Sequence, residues 1–227
     1  MASKQVAVLI SRGAEAEIYL SELAGVKVVV KKRVAKPYRT PEFNRLFITT
    51  RTKIEAKILS ELYNAGLSVP APIIVDEEHG VIVLEYVEGE RLSDIIDSLS
   101  SEEVVKAADY LGEFAAKMHS LGIYHGDFTL ANVILSKKGL VVIDFGLAGY
   151  SDDIEEYAID LHLMLRSVHA MRPSVVDAFS KHMTDSYIRN YKGNGVEVLK
   201  RVAEIRTRGR YIDKELRKSI MRERYVD

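Results

Sequence analysis

Residues His125–Gly146 read HGDFTLANVILSKKGLVVIDFG. Asp127 and Asn132 stand five apart, and Asp144 follows twelve residues later, directly behind the apolar run Leu140–Ile143. A short β-rich run in that place puts Asp144 at a strand end. An Asp–Asn–Asp set in this order suits phosphoryl transfer. One carboxylate orients the attacking hydroxyl, while an amide and a second carboxylate hold Mg²⁺ on the β- and γ-phosphates. So few hard oxygen ligands suit Mg²⁺, which keeps waters and phosphate oxygens in its own shell. H-x-D and D-F-G each recur by chance; their order, spacing and upstream partners give the set its weight.

Upstream, Val28–Lys31 reads VVVK and matches the kinase V-A-I-K strand, which makes Lys31 the candidate for the α/β-phosphates. Lys32 competes with it, because strand alternation alone does not choose between them. Glu55 lies between Ile54 and Ile58, beside the apolar face of a predicted helix, where it can turn inward and pair with Lys31. The alternative for Glu55 is a surface i,i+4 contact with Arg51. Aligning the kinase G-x-G-x-x-G-x-V loop with Ile18 in its last position puts Ser11, Gly13 and Ala16 at the three glycine sites. All three are small enough for close backbone approach, although one alone is glycine. Leu84–Gly89, LEYVEG, has the look of a hinge: adenine would bond the Glu85 carbonyl and the Val87 amide, with Leu84 behind it. An edge strand ending in a turn is the plainer alternative.

The chain has 227 residues, room for one large domain or two small lobes. A hydrophobic fraction of 47% with 29% charged residues is a globular composition and excludes disorder for the bulk of the chain. The absence of Cys excludes disulfides, thiolate metal sites and cysteine nucleophiles. No signal-like or membrane-spanning run is read, so the expected setting is cytoplasmic. Net charge is −1, yet Lys27–Arg39 holds six basic residues and no acid, and the last 27 residues hold nine Lys/Arg against five Asp/Glu.

Strand-like runs at VAVLI, EIYLSEL and VKVVVKKRV predict an antiparallel meander. A helix is predicted over residues 51–65, closed by Gly66, and two more strands near Pro72–Val75 and Val81–Val87. Behind Gly89 the pattern turns helical. Ser100 and Glu103 form a capping box for a helix burying Val104, Ala108, Leu111, Ala115 and Met118. Further helices are read near Ile154–Met171, Ser174–Asn190 and Val196–Arg208. The expected class is α+β: a small β-rich N-lobe over residues 1–88 and a reduced helical C-lobe over residues 89–227, as in the protein-kinase fold. His125 is expected to pack the catalytic loop, and Asp160 to anchor its backbone.

The ordered motifs from Ser11 to Asp160 resemble the protein-kinase superfamily. Thirteen residues separate Gly146 from Asp160 and A-P-E is absent, which leaves no room for a usual activation segment. VVKKRVAKPYR at Val29–Arg39, RTKIEAK at Arg51–Lys57 and RTRGR at Arg206–Arg210 narrow the likeness. With these the chain resembles the small PRPK-like atypical kinases of the KEOPS complex, in their compact archaeal form. HGDFTLAN departs from the family's D-L-T-T-S-N through Phe128, Leu130 and Ala131 but keeps Asp127, Thr129 and Asn132, and residues Tyr211–Asp227 extend past the usual tail. The resemblance implies ATP and Mg²⁺ as cofactors, Ser/Thr kinase or ATPase activity, and a partnership with a Kae/TsaD-type threonylcarbamoyl transferase and small accessory subunits. It also implies a role in threonylcarbamoyladenosine formation on tRNA. Arg206, Arg208 and Arg210 are the candidates for RNA phosphate. The rivals are a RIO-type atypical kinase and a non-catalytic tRNA-binding scaffold.

Overall fold

Three strand-like runs come first, and the computed structural model, which describes residues 7–13 and 15–207, folds them into one meander. The strands are β1 (Val8–Arg12), β2 (Ala16–Leu23) and β3 (Val26–Arg33). Ala24 and Gly25, at φ of 50° and 82°, form the two-residue turn between β2 and β3. A left-handed pair is the turn that matches the right-handed twist of its strands. Strands β4 (Pro72–Asp76) and β5 (Val81–Glu85) complete an antiparallel sheet of order β1-β2-β3-β5-β4. The expected meander and the following pair are thus present, within one or two residues at each end.

Helix α1 (Pro41–Asn64) packs against β4 and β5 and buries Ile58, Leu59 and Leu62. It begins ten residues before the predicted start. Thr40 caps it, accepting the Phe43 N–H at 3.3 Å, and Pro41 occupies the first turn where its missing N–H costs nothing. Phe43 and Leu46 in those first turns are exposed, so no buried stripe betrays the helix there. Its end lies where Gly66 predicts it. Gly66, at φ 79°, donates to the Tyr63 carbonyl and Leu67 donates to the Leu62 carbonyl, the paired bonds of a Schellman motif. Asn44 ties the β3–α1 link, accepting the Lys36 N–H and donating to the Lys36 and Arg39 carbonyls. That link carries the basic VVKKRVAKPYR stretch, in which Arg39 lies over the Phe47 ring and pairs with Glu15.

The chain divides into two compact units. The first comprises residues 7–96 with 130–150, the second residues 97–129 with 151–207. The first unit therefore adds to its five-stranded sheet a small antiparallel one, β6 (Gly89–Arg91), β7 (Val133–Ser136) and β8 (Gly139–Val142), in the order β6-β7-β8. The second unit is helical: α2 (Ser101–His119), α3 (Ile154–Met171), α4 (Val176–Asn190) and α5 over residues 195–207. The α2 capping box is present, and the five residues predicted for its buried face are all buried. Gly112 lets α2 and α4 approach: a Cβ there would stand 2.2 Å from the Met183 carbonyl oxygen. Among the described residues no helix is long and apolar enough to cross a membrane.

Candidate active site

Strand β3 runs between β2 and β5, and Lys31 faces Ile18 on one neighbour and Ile82 on the other. Its side chain is buried, whereas Lys32 is exposed, so Lys31 is the inward-facing lysine of the pair. The ammonium Nζ lies 2.6 Å from Glu55 Oε1 and 2.7 Å from Asp144 Oδ1. Glu55, 1% exposed, comes from the inward face of α1 and does not pair with Arg51 in the structure's ion pairs. Burial alone would pull the Lys31 pKa down. The charges of Glu55 and Asp144 outweigh it, so the pKa is raised and the ammonium stays charged.

Asp144 follows the end of β8 with φ 62°, a left-handed conformation rare outside glycine. Its carboxylate is exposed on one side and accepts the Gly146 N–H at 3.3 Å. Gly146 leaves room for these groups: a Cβ there would crowd them, standing 3.0 Å from Lys31 Nζ and 3.1 Å from Asp144 Oδ1. Asn132 ends a single turn of 3-10 helix, Leu130–Asn132, and its carbonyl accepts the Ile143 N–H at 2.9 Å. That backbone bond sets Asn132 beside the residue preceding Asp144. The remaining predicted nucleotide contacts share this unit. Ser11 lies on β1 opposite Ile18 of β2, and the Gly13 N–H donates to the Ala16 carbonyl at 2.9 Å, closing the loop between the two strands. Leu84 faces Val29, Glu85 ends β5, and Val87 follows half-buried.

Asp127 belongs to the second unit, in the loop that follows Tyr124. Its N–H donates to His125 Nδ1 at 3.2 Å. Asp160 of α3 is fully buried and accepts the N–H groups of His125 at 2.6 Å and Gly126 at 2.9 Å. Both sequence expectations for this loop are therefore met: His125 packs, against the Phe128 ring, and Asp160 anchors backbone. Phe128, a departure from the family run, is fully buried and stacks on Phe114. Arg206 is exposed near the end of α5; Arg208, Arg210 and the segment Tyr211–Asp227 lie outside the described residues.

Two contributors escape a motif reading. Arg33, 5% exposed, places Nη2 2.5 Å from Glu55 Oε2, so Glu55 carries two cations. Period-two alternation could have found it, since a strand that turns residue 31 inward turns residue 33 inward too. His119 is the other. Its ring contacts Asp160 Oδ2 at 3.3 Å and the Tyr187 hydroxyl at 2.9 Å, linking α2, α3 and α4 through buried polar atoms. No local sequence signal marks it.

The donor set fits Mg²⁺ shared with phosphate oxygens. Asn132 and Asp144 supply an amide and a carboxylate oxygen, and Lys31 supplies a charged donor beside Asp144. Among the described residues no cluster of three or more His, Asp or Glu side chains could hold a metal without such help.

The RIO domain family model matches residues 18–187. The KEOPS complex subunit Bud32 of Pyrococcus abyssi is 38% identical over 210 residues, covering 89% of this chain and 96% of that protein. The probable serine/threonine-protein kinase BUD32 homolog of Archaeoglobus fulgidus is 38% identical, covering 89% and 95%. A probable bifunctional tRNA threonylcarbamoyladenosine biosynthesis protein of Methanobrevibacter smithii is 35% identical, and there the match spans 36% of the longer protein. Among solved structures, the Rio2 kinase of Chaetomium thermophilum in its ADP/Mg²⁺-phosphoaspartate complex superposes with a TM-score of 0.62 at 16% identity, covering 90% of this chain and 72% of that one. This last likeness is one of fold.

Proposed function

Because the chain belongs to the RIO-domain family, in its Bud32 group, we propose that it is an ATP- and Mg²⁺-dependent phosphotransferase or ATPase that serves threonylcarbamoyladenosine modification of tRNA within a KEOPS-type complex. The RIO-type and Bud32-type readings weighed from sequence are thus one family at the level of the domain. The observation that carries the enzymatic reading is the Lys31–Glu55–Asp144 constellation, with Asn132 tied to the same strand end. Glu55 alone would neutralise a buried lysine; the second acid, Asp144, is largely exposed and so open to a metal, which favours the enzymatic reading.

Mg²⁺, when bound with ATP, would offset charge on the β- and γ-phosphates. Asn132 and Asp144 would hold the metal. Lys31, fixed and kept charged by Glu55, would grip the α- and β-phosphates. Ser11, Gly13, Ala16 and Ile18 would line the phosphate loop, while Leu84, Glu85 and Val87 receive adenine. Asp127 would orient the acceptor, a Ser/Thr hydroxyl or water, and take its proton as the acceptor oxygen joins the γ-phosphorus and ADP leaves. The short segment behind Gly146 disfavours docking of an extended peptide, which favours water as the acceptor when partners are bound. The partners we assign are a Kae/TsaD-type transferase and small accessory subunits. In its support, relatives named bifunctional join a Bud32-like portion and further sequence in one chain.

The test follows labelled γ-phosphate with Mg²⁺, comparing wild type with Asp127→Asn, alone and with tRNA plus the transferase. Free phosphate that rises with the partners and is lost in the variant is the expected result. Label on protein Ser/Thr would instead make protein-kinase activity primary. No transfer to any acceptor in any mixture would sink the enzymatic reading and leave the scaffold.

A further inference from the structure

The Asp-Phe-Gly turn has a support that comes from β3 and α1. Two guanidinium groups converge on one carbonyl. Arg51 Nη2 donates to the Gly146 oxygen at 2.5 Å, and Arg33 Nη2 approaches it at 3.4 Å while bonding Glu55 Oε2 at 2.5 Å. On the other side of the same residue, the Gly146 N–H donates to Asp144 Oδ1. Gly146 is therefore gripped at its carbonyl by cations and grips the Asp144 carboxylate with its amide. Asp144 itself sits in a left-handed backbone conformation, which contacts from outside the turn help to hold.

Arg33 cannot easily be replaced in this role. Its side chain is buried, with Glu55 as its close acid and Glu15 Oε2 at 3.8 Å as a longer contact. Arg33 also leaves Glu55 compensated whenever Lys31 turns its ammonium toward phosphate. Without it, a 1%-exposed carboxylate would lose its counter-charge at the moment the lysine engages substrate. The thirteen residues between Gly146 and Asp160 leave no room for a usual activation segment.

We propose that Arg33 and Arg51 are positioning residues that hold the Asp144–Gly146 turn in its metal-binding conformation from within the first unit, in place of an activation segment. The idea rests on the ATP·Mg²⁺ reading above for its catalytic consequence, but the turn's rigidity can be measured without nucleotide. Arg51 is the better residue to vary, being half-buried and outside the Lys31–Glu55 pair.

The experiment compares wild type, Arg51→Met, Arg51→Lys and the control Arg45→Met, whose exposed guanidinium pairs with Glu78. Amide exchange of the protein without nucleotide should quicken at Gly146 and Ala148 in Arg51→Met, with the melting temperature close to wild type. Calorimetry with ADP should show Mg²⁺-free binding unchanged and the tightening by Mg²⁺ reduced about tenfold, the scale of one hydrogen bond to a charged group. Arg51→Lys should recover part of both, and Arg45→Met should match wild type. Arg33→Met is a second variant with the same expected direction. Unchanged exchange at Gly146 and Ala148 in Arg51→Met would overturn the proposal, as would an equal loss of ADP affinity with and without Mg²⁺, which marks a merely structural role. Failure of the wild type to bind ADP at all would instead overturn the nucleotide reading, while the exchange measurement still decides whether the arginines fix the turn.

Discussion

His119 stands between groups with opposite effects on its proton. Complete burial pulls its pKa below the ordinary 6.5, and the neighbouring Asp160 carboxylate only partly restores it. The folded protein thus resists protonation at a site the unfolded chain protonates freely. The sign follows: the stability is intact above pH 6.5 and falls as the pH drops below it. Urea midpoints taken at pH about 7.5 and about 5.5 should therefore fall more for wild type than for His119→Gln, which has no proton to gain. Equal losses in the two proteins would refute this role for His119. Lys31 and Asp144 were legible from their motifs, whereas no motif marks Arg33, Arg51 or His119, whose hydrogen-bond partners lie 22 to 113 residues away in sequence.

At the scale of elements, periodicity located what was half-buried and missed what was not. The buried stripe of α2 is complete in the sequence, and its helix was predicted with its cap. The first turns of α1 carry exposed Phe43 and Leu46 and gave no such stripe, although Thr40-Pro41 is a start signal in its own right. The α2–α4 crossing rests on Gly112. A methyl group there meets the Met183 carbonyl oxygen at 2.2 Å and Ser186 Cβ at 2.9 Å, so the helices must part. Gly112→Ala should cost roughly 1–3 kcal/mol of stability despite alanine's better helix propensity, as read by chemical denaturation. A stabilised variant would show that the crossing has slack.

For the molecule as a whole, a ligand that binds only the folded state adds stability by mass action, about 2.7 kcal/mol at a hundred times its dissociation constant. ADP with Mg²⁺ should therefore raise the melting temperature of the wild type. In Asp144→Asn the increment due to Mg²⁺ should vanish while that due to ADP alone remains or grows, because the variant no longer sets a carboxylate beside the phosphates. A full Mg²⁺ increment in that variant would remove Asp144 from the metal site. Asp144→Asn should also abolish Mg²⁺-dependent turnover of ATP.

The sequence by itself determined the strands of the sheet, the catalytic-loop and Asp-Phe-Gly motifs and the family, since these depend on alternation, turn chemistry and short fixed spacings. The V-V-V-K match singled out Lys31, but strand alternation did not exclude Lys32, because Val28, Val29 and Val30 are apolar on both faces of β3 and leave the parity of the strand open. The folded sheet turned Lys31 inward and brought Arg33 in with it. Tertiary structure alone also placed residues 130–150 with the N-terminal sheet, so that Asn132 and Asp144 share a unit with Lys31 and Glu55. Such groupings arise from contacts between distant segments, whose free energy depends on which surfaces meet and is not written in any one stretch of chain.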